Sequence, residues 1–232
     1  MTTLSVSLAG LVVGRGVAAV AGPFDVVIRA GAALVVTGPN GAGKSTLLRT
    51  LAGLLRPLGG TVTVDGAATP DGEPAVRLSE VCHYVGHRNA MKPGVSVGDN
   101  LLFWARFLGG TGAGVADALG AVGLPGIAHL PFGYLSAGQQ RRASLARLLV
   151  AERPVWILDE PTSALDAASQ DRFATLVGAH RGRGGIVVAA THQPLGLEDA
   201  DSLSLAPSAS AVSAAGPVEI DEAALDAAEG WL

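Results

Sequence analysis

The chain has 232 residues, 49% of them apolar, a formal net charge of −4 and a single cysteine. That length buries a sizeable core and predicts one domain with an insertion. Without a basic block the charge argues against general nucleic-acid binding, and the lone Cys82 excludes an internal disulfide and fits a reducing compartment. Charges such as Arg29, Arg49 and Arg56 break every apolar run short of the roughly 20 residues of a membrane span. The N-terminus lacks the basic-then-apolar pattern of a signal peptide. The expectation is a cytoplasmic chain that reaches any membrane through a partner.

Residues 4–36 alternate apolar stretches (Leu4 to Leu8, Phe24 to Ile28, Ala32 to Val36) with Gly-rich turns, which predicts a small β region. It feeds Gly38-Pro39-Asn40-Gly41-Ala42-Gly43-Lys44-Ser45-Thr46, which fits the phosphate-loop pattern G-x-x-x-x-G-K-S/T without a mismatch. A loop between a strand and a helix start turns successive backbone N–H groups inward, and the helix dipole adds positive potential. Glycines are needed because a side chain would block the phosphates' approach. Lys44 is expected to bridge the β- and γ-phosphates, and the Ser45 hydroxyl to hold Mg²⁺. These nine residues predict that the chain binds a nucleoside triphosphate.

A helix is predicted from about Lys44 to Leu55, closed by Arg56-Pro57 and Gly59-Gly60. Thr61 to Val64 alternates as a strand before an Asp65-Gly66 turn, and Val81 to Val85 is another strand. It ends at the polar break Gly86-His87-Arg88-Asn89. Between about 90 and 133 the pattern turns helical, with helices predicted over Asp99 to Leu108 and Gly114 to Val122. Leu101, Trp104 and Leu108 can form one helix stripe, and Phe103 with Phe107 another. One stripe is expected to pack inward and the other to meet a membrane partner; a core role for both is equally open. After Leu135 come a helix from Ala137 to Ala151, a buried strand Val155 to Leu158, a helix from about Leu165 to His180 and a buried strand Ile186 to Ala190. Strands alternating with helices imply a mostly parallel sheet, with residues 90–133 inserted into it. The tail after Asp201 is Ser- and Ala-rich, with one acidic amphipathic piece from Glu219 to Leu232 and no readable motif.

Val155-Trp156-Ile157-Leu158-Asp159-Glu160 is an apolar strand delivering two carboxylates at its C-terminal end, where ligands sit in open α/β sheets. Asp159 is expected to bind Mg²⁺ through water, and Glu160 to orient or deprotonate the attacking water. Ser136, 23 residues before Asp159, begins Ser136-Ala137-Gly138-Gln139-Gln140-Arg141-Arg142. It is placed to cap the next helix, and Gly138 leaves that helix's start open to an anion. Taken alone, an ordinary N-cap is the better reading.

Together these pieces resemble the nucleotide-binding subunits of ATP-binding-cassette (ABC) transporters, over essentially the whole chain and in the family's order. After the phosphate loop come the Gln-loop region, the LSGGQ-like signature Leu135, Ser136, Ala137, Gly138 and Gln139, and the acidic strand end. Then follow Ser163, Ala164, Leu165 and Asp166 as the D-loop, and Thr191-His192-Gln193 as the switch. The resemblance implies an α/β fold of the P-loop NTPase kind, with a small N-terminal β region and an inserted α-helical subdomain. Residues 1–232 are then one ABC ATPase domain, with the subdomain at about 90–133 and a C-terminal tail at 207–232. It implies ATP and Mg²⁺ as ligands, and a second copy of the chain facing the first across two ATP molecules. Ser136, Gly138 and Gln139 would then touch the γ-phosphate held by the partner copy's phosphate loop, and His192 would sense that phosphate.

Two positions depart from the family pattern. His87 stands where the family usually has a glutamine that contacts Mg²⁺ and the water, and it is read as a site residue. Upstream of the phosphate loop, Gly14-Arg15-Gly16 occupies the place where an aromatic side chain often stacks on adenine. Arg15 stacking by its guanidinium plane and a loosely held base are both open.

The phrases Tyr84-Val85-Gly86-His87-Arg88-Asn89-Ala90-Met91-Lys92-Pro93, Leu135 to Arg142 and Thr191-His192-Gln193-Pro194-Leu195 resemble one subfamily, the CcmA-type ATPases of the bacterial haem exporter used in c-type cytochrome maturation. That resemblance implies work with the membrane subunits CcmB, CcmC and CcmD at the cytoplasmic face of the inner membrane. The work is haem export or release of the haem-loaded chaperone CcmE. The chain has no C-x-x-C-H, and the adjacent Cys82 and His83 point to opposite faces of a strand, so haem binding by the chain itself is not expected. Two alternatives remain at this point. One is the ATPase of a different exporter, of lipid or drug; the other is a soluble cassette protein acting on DNA or ribosomes, which charge and architecture disfavour.

Overall fold

The computed structural model describes residues 3–112, 114–192, 195–197 and 199–206. In chain order its elements are β1 (Ser5–Arg15), β2 (Ala18–Arg29), β3 (Ala33–Thr37), α1 (Lys44–Leu51), β4 (Gly59–Asp65), β5 (Cys82–Val85), α2 (Val97–Phe107) and α3 (Val115–Ala121). They continue with α4 (Ala137–Leu145), β6 (Val155–Asp159), α5 (Ala167–Gly182), β7 (Ile186–Ala190) and β8 (Asp201–Ser204). The amphipathic piece Glu219 to Leu232 and the switch residue Gln193 lie outside the described residues.

Two sheets form. One is antiparallel, in the order β2-β1-β4; the other has the order β5-β6-β7-β3-β8, and all its pairings are parallel. Side chains alternate along β6, and that alternation divides the core in two. Val155 and Ile157 join a cluster with Leu47, Leu48 and Leu51 of α1 and with Val6, Leu8 and Leu11 of β1. Trp156 and Leu158 join the opposite cluster, with Leu101 of α2, Leu119 of α3, Leu145 of α4 and Phe173 and Val177 of α5. Helix α1 therefore lies between the two sheets, while α2 to α5 cover the far face. Strand β6 is buried along its whole length, which fixes the position of whatever follows its C-terminal end.

The N-terminal region differs from the expected succession of short strands. Leu4 to Leu8 and Phe24 to Ile28 belong to one long hairpin, β1 against β2, closed near Arg15 and Ala18. The glycines that read as turns lie inside it. Gly10 has a φ of 57°, and the pairing slips between Leu8 and Leu11. That extra residue moves the buried set from even positions (Val6, Leu8) to odd ones (Leu11, Val13), as a β-bulge does. Helix α1 ends at Leu51, earlier than expected, because Gly53 takes a φ of 77°. Helix α4 gives way after Leu145 to a 3₁₀ stretch over Ala146–Leu149. Strand β8, absent from the expectation, pairs with β3 in the Ser-containing stretch taken for tail.

The two stripes of α2 part company. Leu101 and Trp104 are buried, with Leu108 half-buried, whereas Phe103 and Phe107 are 55% and 59% exposed. The Trp104 indole N–H donates to the Ala90 carbonyl at 2.8 Å, and the two phenylalanines stack on each other with centroids 5.9 Å apart. A core role for both stripes is excluded.

Candidate functional site

Strand β3 delivers the loop 38–43 to the first turn of α1, with Pro39, Asn40 and Gly41 exposed and Ala42 and Gly43 buried. Two glycines are required by their surroundings. A Cβ on Gly38, at a φ of 139°, would lie 2.5 Å from the Leu205 carbonyl. One on Gly43, at 97°, would lie 2.7 Å from a Val20 methyl. The Lys44 ammonium donates to the carbonyls of Gly38 at 2.7 Å and Pro39 at 3.2 Å, so it lies back across its own loop. Ser45 is half-buried in the first turn of α1 and Thr46 is buried beside it. No acidic side chain stands in that first turn, which leaves the positive end of the helix dipole uncompensated. The loop thus presents N–H groups, a lysine and a hydroxyl, the equipment for a polyphosphate.

The end of β6 carries the acidic pair. Asp159 is buried, and among the described residues its Oδ2 has no hydrogen-bond partner. His87, just past β5, holds its Nδ1 3.8 Å from that oxygen, too long for a hydrogen bond. Glu160 follows with a φ of 46°, a conformation that costs an ordinary residue about 1–3 kcal/mol. Its N–H donates to the Ala190 carbonyl at 2.8 Å, which anchors the turn to the end of β7. Its carboxylate lies 3.6 Å from Nε2 of His192, which follows β7. The adjacent parallel strands β5, β6 and β7 thus bring His87, Asp159, Glu160 and His192 to one end of the sheet.

An unpartnered buried carboxylate oxygen is a costly arrangement unless a cation or water completes it. With the Ser45 hydroxyl, Asp159 offers the hard oxygen donors that Mg²⁺ takes, and the two would hold it beside a bound phosphate. The residues fit the ion. Among the described residues no group of three or more His, Cys, Asp or Glu gathers for a metal, and a site built this way needs none.

Ser136 caps α4: its hydroxyl accepts from the Gln139 N–H at 3.3 Å while the Gln139 side chain accepts from the Ser136 N–H at 2.9 Å. This capping box leaves Ser136 and Ala137 exposed, with Leu135 buried behind them as an anchor. Gly138 packs against the segment 163–166; a Cβ there would sit 3.1 Å from the Ala164 carbonyl. Ala164 has a φ of 64°, the Ser163 hydroxyl donates to the Glu160 carbonyl at 3.0 Å, and buried Leu165 anchors the segment before exposed Asp166. Asp166 caps α5 by accepting from the Ser169 N–H at 2.8 Å. The signature and the D-loop therefore touch each other, and the D-loop touches the acidic strand end. Arg15 stands exposed at the end of β1, on the hairpin whose return strand places Val20 against Gly43.

Two residues with a place in this arrangement had no role in the sequence reading. Val20 packs on the phosphate loop, and nothing in an alternating apolar strand marks such a contact. Arg141 is buried behind the strand ends, where an arginine next to a signature reads as a solvated helix face.

Known proteins resemble this chain in sequence and in fold. Residues 22–163 match the family model described as ABC transporter. The cytochrome c biogenesis ATP-binding export protein CcmA of Rhizobium meliloti is 58% identical over 200 residues, which span 84% of this chain and 95% of that protein. The CcmA of Rhizobium johnstonii is 60% identical over 77% of this chain and 83% of its own, and that of Nitrobacter winogradskyi 54% over 79% and 89%. Among solved structures, a putative ABC transporter ATP-binding protein from Pyrococcus furiosus superposes with a TM-score of 0.73 at 23% identity, covering 87% of this chain and 97% of that one. A bacterial Atm1-family ABC exporter with ATP bound gives 0.72 at 24% identity, covering 89% of this chain and 37% of the exporter. The chain therefore belongs to the ABC transporter family of ATP-binding proteins, in the branch of the CcmA proteins of cytochrome c biogenesis.

Proposed function

We propose that this chain is the ATP-hydrolysing subunit of the exporter that serves cytochrome c biogenesis, working as an ATP-sandwich dimer against membrane subunits of the CcmB, CcmC and CcmD kinds. The observation that carries the reading is the convergence at one sheet end of a polyphosphate loop, an orphaned buried carboxylate and a strained glutamate beside a histidine. Residues 38–46 would bind the phosphates, with Lys44 neutralising charge on the β- and γ-oxygens. Mg²⁺ would be held by Ser45 and Asp159 and would neutralise charge that builds on those oxygens. Glu160 would orient and deprotonate the attacking water, and His192, already beside it, would hold that carboxylate and contact the γ-phosphate. His87 would take the glutamine's place next to Asp159. Arg15 would lie against the base, by its position on the hairpin that covers the loop. The exposed Ser136 and Ala137, with Gly138 and Gln139, would meet the nucleotide of a second copy, and Ser163 to Asp166 would carry that contact to Glu160.

No helix among the described residues is long and apolar enough to cross a membrane, and in this reading a membrane subunit would supply the anchor. The inserted segment 90–133 supports a docking surface. Phe107, stacked on Phe103, lines a groove of about 390 Å³ together with Tyr84, Arg88, Trp104 and Arg147. A CcmB segment seated there would place the chain at the cytoplasmic face of the inner membrane.

The ATPase reading is tested with Glu160→Gln. It should keep ATP affinity, lose about 10²–10⁴-fold in turnover, and elute as a dimer in ATP but not in ADP. Turnover near that of the wild type would remove Glu160 from this role.

A further inference from the structure

Arg141 is 3% exposed, yet among the described residues its hydrogen-bond partners are all backbone carbonyls, not carboxylates. Its Nε donates to the Pro161 carbonyl at 2.9 Å and its Nη1 to the Gly86 carbonyl at 2.7 Å. Its Nη2 donates to the carbonyls of Glu160 at 2.7 Å and Asp159 at 3.2 Å. All three nitrogens are engaged, and all four acceptors lie where the strands end. Gly86 precedes His87; Asp159 and Glu160 are the acidic pair; Pro161 opens the run to the D-loop. Burial lowers the guanidinium to about 10, with Asp159 and Glu160 opposing the shift, so it stays charged at neutral pH.

From this geometry we infer that Arg141 is a positioning residue: it ties helix α4, which begins with the signature, to the backbone that carries His87, Asp159 and Glu160. Two features demand such a tie. Glu160 sits in a left-handed turn that relaxes unless its neighbours hold it. The peptide after Gly86 is a connection with no sheet partner beyond Val85. A planar fork matches carbonyls fanned over two strand ends; a lysine ammonium on a flexible stem does not. Because α4 also carries Ser136 and Gly138, a displacement of the signature would move the frame of Glu160 through one rigid side chain. The inference rests on the ATPase reading for its consequence in turnover, and on the coordinates alone for the clamp.

The test compares Arg141→Lys with Arg142→Lys, a control one residue along the same helix whose guanidinium donates to the Gly123 carbonyl at 3.1 Å and whose charge, which lysine keeps, acts on Asp166. Turnover and KM are measured in membranes carrying the whole complex, and backbone hydrogen exchange on the purified chain. Arg141→Lys should lower kcat by about 100-fold with KM within about threefold, as misplacement of an otherwise intact group does. It should also speed exchange in residues 86–88 and 160–165 while β6 and β7 stay protected. Arg142→Lys should do neither. Unchanged kcat, or a raised KM with kcat unchanged, overturns the positioning role; exchange unaltered at 160–165 overturns the clamp. A wild-type complex that does not hydrolyse ATP would instead overturn the ATPase reading, while the exchange result still decides the clamp. Should Arg141→Lys fail to fold, the wild type suffices: the clamp requires slow solvent exchange of the Arg141 Nε–H by NMR, and fast exchange contradicts it.

Discussion

The Lys44 ammonium already lies among the carbonyls of its own loop, so the cation is positioned before any phosphate arrives. Its removal should act on binding: Lys44→Ala should raise the dissociation constant for ATP about tenfold or more, read by fluorescent-nucleotide titration. Glu160→Gln acts on turnover, and the contrast separates the two roles. Elsewhere a residue sets pH behaviour. His83 is buried, its Nε2–H donates to the Ala151 carbonyl at 2.8 Å, and burial pushes its imidazole down from 6.5 to about 3. The unfolded chain takes up a proton below 6.5 that the folded chain refuses until about 3. Stability from this site is therefore complete above 6.5 and drains as pH falls through that window, by up to about 1.4 kcal/mol per pH unit. His83→Gln should flatten that part of a denaturation-versus-pH curve; an unchanged slope would assign it to other groups.

At the scale of elements, the parallel sheet is a packed mount for the strand-end residues, and the exposed stripe of α2 is the proposed docking face. Ile157→Ala in the middle of β6 should cost about 2–5 kcal/mol in chemical denaturation, because both faces of that strand are packed. Phe103→Ser with Phe107→Ser should leave stability within about 0.5 kcal/mol, both side chains being more than half exposed. The same pair should abolish co-purification with a CcmB-type subunit, and intact co-purification would move the docking face elsewhere. The elements that were legible in the sequence share one property: their pattern is local. The all-apolar run Val155 to Leu158 and the loop-then-helix at 38–51 carry their fold in consecutive residues. Strand β8 does not, since Asp201-Ser202-Leu203-Ser204 is held by backbone pairing with β3 rather than by buried side chains. The hairpin β1–β2 was misread because a bulge at Gly10 has the composition of a turn. In the site, the loop and the acidic strand end could be read from spacing, whereas the grip of Arg141 joins residues as much as 55 positions apart and exists only once α4 has packed.

At the scale of the molecule, the proposed function makes the exposed signature cap and the phosphate loop two halves of a site completed by a second copy, and makes the exposed phenylalanine pair the face for a membrane partner. In the proposed function, ATP hydrolysis by this chain drives a step of cytochrome c biogenesis. The most direct measurement deletes the gene in its own bacterium and stains periplasmic c-type cytochromes for haem, with complementation by the wild type and by Lys44→Ala. The proposed function requires loss of all c-type cytochromes, restored by the wild type and not by Lys44→Ala. Normal cytochromes in the deletion strain, or rescue by Lys44→Ala, would contradict it.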